Sequence, residues 1–274
     1  MIRMKSNWLI YLCGGILTLL AGTAFSVSDR KAELSKKPPL VFVLSGQSNM
    51  VGQGARIDEL SAEQRKLPPN VRFFDQGKEA SLDARSYFGP EVAMAPLLAA
   101  RFPDREIWLI KFAFGGTSLY AWSPEWSEEK ALLVGNKGAA LYPRLISSIR
   151  DVAGGQAVEY AGLFWMQGER DALYDFAAAE YEQNFIQFAE AVRKDLKAPD
   201  MPVLIGQINP AVAQYRYAPQ VRAAQEKLGK TGHRMKMVST EGFVRNDAAH
   251  FDSASQLLLG ERFAQAWLEY MKDP

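Results

Sequence analysis

The apolar positions of the chain fall into two kinds of segment that alternate along it. Short unbroken runs at Leu40–Leu44, Val71–Phe74, Ile107–Phe112, Tyr160–Trp165, Val203–Ile208 and Met235–Val238 read as strands buried on both faces. Between them, Pro90–Arg101, Ala139–Val152, Ala177–Leu196 and Pro219–Leu228 carry apolar residues at three-and-four spacing with charged residues opposite, and Ser253–Met271 closes the chain in the same way. Strand-then-helix alternation predicts a three-layer α/β/α sandwich around a parallel sheet, with ligand sites at the carboxyl ends of the strands. There is no internal repeat and no second core with its own linker, so a single domain is expected.

The N-terminus follows a different pattern. Arg3 and Lys5 precede an apolar run from Trp8 to Leu20, and small residues follow at Ala21–Ser26. This order predicts a signal peptide over residues 1–26 and export to a periplasm or the exterior. The alternative is an uncleaved membrane anchor, because the weakly polar run continues to Phe25 and approaches the roughly 18 residues of a spanning helix. Cys13 follows Leu12 rather than a small residue, which does not suit a lipoprotein. Residues 27–38 are charged without an apolar face and read as a linker, leaving 39–274 as the domain.

Composition narrows the function. With 48% hydrophobic and 23% charged residues, the chain is neither disordered nor fibrous. A net charge of +1, falling to −1 once Arg3 and Lys5 leave, gives no general attraction to nucleic acid or to an anionic membrane, and no stable membrane partner is expected after cleavage. The single cysteine leaves with the signal, so the exported protein holds together by core burial alone.

Four strand ends carry polar residues suited to chemistry. After the first run, Ser48 in Ser45-Gly46-Gln47-Ser48-Asn49-Met50 stands where backbone N–H groups surround an exposed hydroxyl, as a nucleophile requires, although serine there also serves as a turn or cap residue. It belongs neither to a G-x-S-x-G elbow, since Met50 replaces the second glycine, nor to a phosphate loop. Only His233 and His250 could activate it. His233 lies in a polar turn and reads as solvated. His250 follows the last strand, and Asp247 three residues earlier has the spacing to hold Nδ1 and free Nε2, the logic of a triad; capping of a turn and of the final helix accounts for the same spacing. Ala113–Ser118 offers glycine N–H groups, and Met166–Asp171 offers the Gln167 amide and Glu169 as a second carboxylate for His250.

Taken together, Leu44-Ser45-Gly46-Gln47-Ser48-Asn49-Met50, Phe114-Gly115-Gly116-Thr117-Ser118-Leu119, Trp165-Met166-Gln167-Gly168-Glu169-Arg170-Asp171 and Asp247-Ala248-Ala249-His250-Phe251 resemble the SGNH hydrolase superfamily, in its sialate O-acetylesterase-like branch that includes acetylxylan esterases. The resemblance spans nearly the whole of 39–274. It implies a flavodoxin-like three-layer fold, Ser48 as nucleophile, His250 as base and Asp247 as orienting acid, with Glu169 as the rival acid. It further implies an oxyanion hole from the N–H of Ser48, the N–H of Gly116 or Gly115, and the Gln167 amide. Met166 departs from the histidine common before Gln-Gly-Glu, and Arg170 from a small polar residue.

The implied reaction is removal of O-acetyl groups from a saccharide by acyl transfer through Ser48. A lipase or thioesterase of the same superfamily, or a glycan-binding relic, are the alternatives. Gln47, Asn49 and Trp122 are the expected substrate-binding residues, with Trp126, Tyr120 and Tyr87 as further aromatic candidates for stacking on sugar, and Trp122–Lys137 as an expected lid. No cofactor or metal is expected: one site histidine and no cysteine in the exported chain leave zinc without its usual ligands.

Overall fold

The structure, a computed structural model, describes residues 37–272. The signal expected at 1–26 and the linker up to residue 36 lie outside the described residues. Lys37 already pairs with Asp104, and the carbonyl of Pro38 accepts from Arg105, so the end of the expected linker is fastened to the domain.

Seven strands form one sheet: β1 (Leu40–Gly46), β2 (Val71–Asp75), β3 (Lys78–Glu79), β4 (Ile107–Ala113), β5 (Glu159–Met166), β6 (Val203–Gly206) and β7 (Met235–Val238). Their spatial order is β3-β2-β4-β1-β5-β6-β7. The helices are α1 (Ser48–Val51), α2 (Glu91–Arg101), α3 (Glu128–Leu133), α4 (Leu141–Ala153), α5 (Asp175–Asp195), α6 (Ala218–Thr231) and α7 (Ser253–Tyr270). All six apolar runs are strands, and they pair in parallel throughout. The addition is β3, which turns back antiparallel on β2 through Gln76-Gly77, both at positive φ, as a tight hairpin requires. Its two exposed charged residues leave no apolar run in the sequence.

Successive residues of a strand face opposite layers. On β5, Phe164 meets Phe263 of α7 at 5.4 Å between ring centroids, while Trp165 meets Phe188 of α5 at 4.6 Å. Phe42 of β1 reaches Trp267 of α7 at 4.9 Å. Helices α2 and α7 pack together on one face, and α5 and α6 pack together on the other, where Tyr142 of α4 also reaches Phe188. Each fully buried ring of this kind contributes roughly 1.5–3 kcal/mol of burial free energy. The sheet is therefore covered on both faces, which leaves the ends of its strands for chemistry.

The chain runs from β1 out to β2, returns to β4, and then crosses to β5 on the far side of β1. That reversal opens a crevice at the carboxyl end of β1, flanked by β4 and β5. Gly46 makes the exit there. Its φ is +141°, and a Cβ would lie 2.1 Å from the Met166 carbonyl oxygen, so only glycine lets β1 leave between its neighbours.

Candidate active site

Ser48 is the first residue of α1, directly beyond Gly46 and Gln47, and is 3% exposed. Its N–H donates to no acceptor among the described residues, as expected of the first turn of a helix. Its hydroxyl likewise has no protein partner among them.

In the loop between β7 and α7, Asp247 and His250 are joined at 2.7 Å between Oδ2 and Nδ1. The other carboxylate oxygen of Asp247 accepts from the N–H groups of Ala249 at 2.8 Å and His250 at 2.7 Å. Burial alone would raise this carboxyl; the bonds from the His250 and Ala249 N–H groups and from the imidazole outweigh it, and the group lies below the usual carboxylate range. His250 Nε2 has no protein partner among the described residues, so it is left for a reacting group.

Asn49 ties the two loops together. Its amide nitrogen donates to Ala249 O at 3.0 Å, and its amide oxygen accepts from Phe251 N at 3.1 Å, so the residue after Ser48 grips both neighbours of His250. The same nitrogen donates to Glu169 Oε1 at 2.6 Å. Glu169 is fully buried, and burial pushes it up to about 7 against the bond from Asn49 and the nearby His250. Its carboxylate therefore serves Asn49, whereas the imidazole is held by Asp247.

The third wall is the loop after β4. Gly115 and Gly116 are exposed, and the Gly116 N–H has no protein acceptor among the described residues. The loop is stapled from behind: Asn136 donates to Gly116 O at 3.0 Å and accepts from Ser118 N at 2.7 Å, while buried Asp171 accepts from the Ser118 hydroxyl at 2.8 Å and from Leu119 N at 3.1 Å. Burial pushes Asp171 up to about 6 despite these donors. Asn136 was not legible beforehand, because nothing around Gly135-Asn136-Lys137 marks it except its place in a long loop.

Several expected roles change here. Gln167 is buried and both hydrogens of its amide are taken, by Thr117 O at 2.9 Å and by Asp171, so it builds the glycine loop and has no donor left for an oxyanion. Gln47 is 3% exposed and its oxygen accepts from Gly168 N at 3.3 Å and Arg170 N at 3.2 Å; Asn49 is wholly buried. Both position the site and neither offers a face to a substrate. Trp122 has no exposed surface, packs at 5.4 Å on Trp165 and donates to Thr117 Oγ1, so it is core and not a sugar platform. Tyr120 is buried as well, Trp126 is half-buried, and Tyr87 is exposed. The stretch 122–137 carries α3 and is fastened at its far end by Asn136 and by Arg170, whose Nε donates to Val134 O at 2.7 Å. His233 is exposed, as expected of a solvated residue.

Among the described residues no group of three or more His, Cys, Asp or Glu side chains converges as a metal-ligand set, and no helix is long and apolar enough to cross a membrane.

A family model described as carbohydrate esterase, sialic acid-specific acetylesterase, matches residues 38–269. A probable carbohydrate esterase of Arabidopsis thaliana is 26% identical over 278 residues, covering 91% of this chain and 98% of its own. A solved structure of an Arabidopsis thaliana protein superposes with a TM-score of 0.70 at 24% identity, over 85% of this chain and 99% of that one. NanS follows at 0.65 and 17% identity, over 86% and 98%. A carbohydrate acetylesterase from Xanthomonas citri gives 0.64 and 17%, over 85% of this chain and 57% of that one. At these identities the solved structures attest the shared fold.

Proposed function

Because the chain belongs to the sialic acid-specific acetylesterase family of carbohydrate esterases, and is a carboxylic ester hydrolase, we propose that it removes O-acetyl groups from a saccharide with Ser48 as nucleophile, His250 as base and Asp247 as the orienting acid. The observation that carries this reading is the Asn49 grip on both neighbours of His250, together with the 2.7 Å bond from Asp247 to Nδ1. These bonds tie the loop that carries His250 to the residue after Ser48, which supports the pairing of the two in one site.

In this mechanism the Ser48 hydroxyl attacks the acetyl carbonyl as His250 Nε2 takes its proton. The N–H groups of Ser48 and Gly116, both without protein acceptors, receive the oxyanion. His250 then gives its proton to the departing sugar hydroxyl, leaving an acetyl ester on Ser48. Water, deprotonated by His250, attacks that ester, and acetate leaves as the proton returns to the serine. Acetylated xylan, O-acetylated sialic acid or a related saccharide is the substrate class that this reading names.

The test is acetate release from 4-nitrophenyl acetate, acetylated xylan and O-acetylated sialic acid by wild type and by Ser48→Ala. Release by wild type and its loss by a factor of about 10³ or more in the variant is expected; substantial turnover by Ser48→Ala overturns the assignment.

We also propose export through cleavage of residues 1–26, supported by the basic, apolar and small-residue order of that segment. Mass spectrometry of the exported protein is expected to find an N-terminus near residue 27. An N-terminus still carrying the apolar run would show the anchor instead.

A further inference from the structure

Against the helix that Ser48 begins lies a buried ion pair that the mechanism above does not use. Lys111 stands on β4 in the otherwise apolar run Ile107-Trp108-Leu109-Ile110-Lys111-Phe112-Ala113 and is 1% exposed. Its ammonium lies 2.7 Å from Oε2 of Glu91, which is wholly buried at the start of α2. Glu91 Oε1 accepts from Gly89 N at 3.0 Å, while Oε2 has the Lys111 charge and no hydrogen-bond donor of good angle. Burial pushes Lys111 down to about 8, with Glu91 opposing that and Arg85 adding to it. Such a pair contributes little net stability, since desolvating two charges consumes most of their attraction. Stability alone does not account for a lysine here.

A second contact of Lys111 points to the reason. Lys111 Nζ donates to Val51 O at 3.2 Å, and Val51 is the last residue of α1, the helix that Ser48 begins. Four residues make one turn, too few to hold themselves, so the end of α1 depends on outside partners. Asn49 O accepts from Gln256 at 2.6 Å, and Val51 O has the ammonium, a cation at the negative end of the turn. Gly89 is wedged into the same corner: a Cβ there would lie 2.6 Å from Met50 O and 2.8 Å from both Lys111 Nζ and Glu91 Oε2. The start of α2 is thereby pressed against α1 with the ion pair as the joint.

We propose that Lys111 and Glu91 are positioning residues for the nucleophile, fixing the far end of α1 so that the Ser48 hydroxyl and N–H stay aligned with the ester carbonyl. The inference rests on Ser48 being the nucleophile. Displacing a reacting group by about 1 Å costs up to 10²-fold in rate, and the cost falls on the chemical step rather than on substrate binding.

The experiment compares wild type, Ser48→Ala and the double variant Lys111→Met with Glu91→Gln, which removes both charges and leaves neither one unpaired. Each is assayed on 4-nitrophenyl acetate for kcat and KM, for the rate of Ser48 phosphorylation by diethyl 4-nitrophenyl phosphate, and for its unfolding midpoint. A folded double variant with kcat lowered about 10- to 100-fold, KM within about threefold, and Ser48 labelling slowed to match is expected. Unchanged kcat and labelling, or a change confined to KM, overturns the positioning role. If the double variant does not fold, Glu91→Gln alone carries the same comparison, with lowered kcat at constant KM expected and unchanged kcat overturning the role. Wild type that is active and labelled at Ser48, beside an equally active variant, rejects this inference and leaves the esterase reading standing. Wild type that is neither active nor labelled rejects both.

Discussion

Two loops bring a carboxylate to the neighbourhood of His250, and they treat it in opposite ways. In the loop after β7, Asp247 has a half-exposed side chain, and its two oxygens accept from two backbone N–H groups and the imidazole. In the loop after β5, Glu169 and Asp171 have almost no exposed surface, and Glu169 Oε2 has no partner among the described residues. Donors hold the first carboxylate ionised, while burial pushes the other two toward the neutral form. A group that must stabilise an imidazolium has to carry charge at the working pH. Loops that look equally acidic in sequence thus differ in partner: Asp247 bonds the imidazole, whereas Glu169 and Asp171 bond Asn49 and the glycine loop.

Neutralising each carboxylate in turn separates the two loops. Asp247→Asn keeps the shape but loses the acceptor that fixes the tautomer of His250, and kcat on 4-nitrophenyl acetate is expected to fall by about 10³ to 10⁴. Glu169→Gln keeps an oxygen for the Asn49 amide, so the expected loss is below about tenfold. The reverse ranking in steady-state kinetics would return the acid's role to Glu169.

How far the sequence carried this depends on the kind of interaction. The strands were legible because a strand buried on both faces must be apolar throughout, and each of the six runs forms one. The spacing from Asp247 to His250 was legible because both ends lie in one local turn. The partner of Glu169 was not, since its bond with Asn49 closes across 120 residues. Trp122 misled for a related reason. A tryptophan in a loop near the site suits a sugar platform, yet the loop folds inward and the ring lies against Trp165. The position of Gln167 is legible but its partners are not, because a buried amide bonds to whatever its neighbours present, here Thr117 O and Asp171. Side-chain roles set by long-range contacts need the fold before they can be read.

The smaller effect of Glu169→Gln on rate leaves stability as its clearer signature. Burial raises the folded-state Glu169 from 4.5 to about 7, so the folded protein holds this proton more tightly than the unfolded chain does. Its contribution is then fully present below about pH 4.5 and is lost as pH rises through 7, with Asp171 acting in the same direction up to about 6. Asp247 works with the opposite sign: its contribution is present above its ordinary value of 3.8 and is lost as pH falls through its lowered folded value. Between pH 5 and 8 the β5 loop therefore weakens the wild type while the β7 loop stays unchanged. Glutamine cannot ionise, so Glu169→Gln should lose less stability than wild type over that interval, by an amount of about 1–3 kcal/mol. Urea unfolding of both proteins at pH 5 and pH 8 reads the difference directly. Parallel pH dependences would mean that Glu169 is ionised without penalty in the folded state, and the contrast between the two loops would have to be carried by geometry alone.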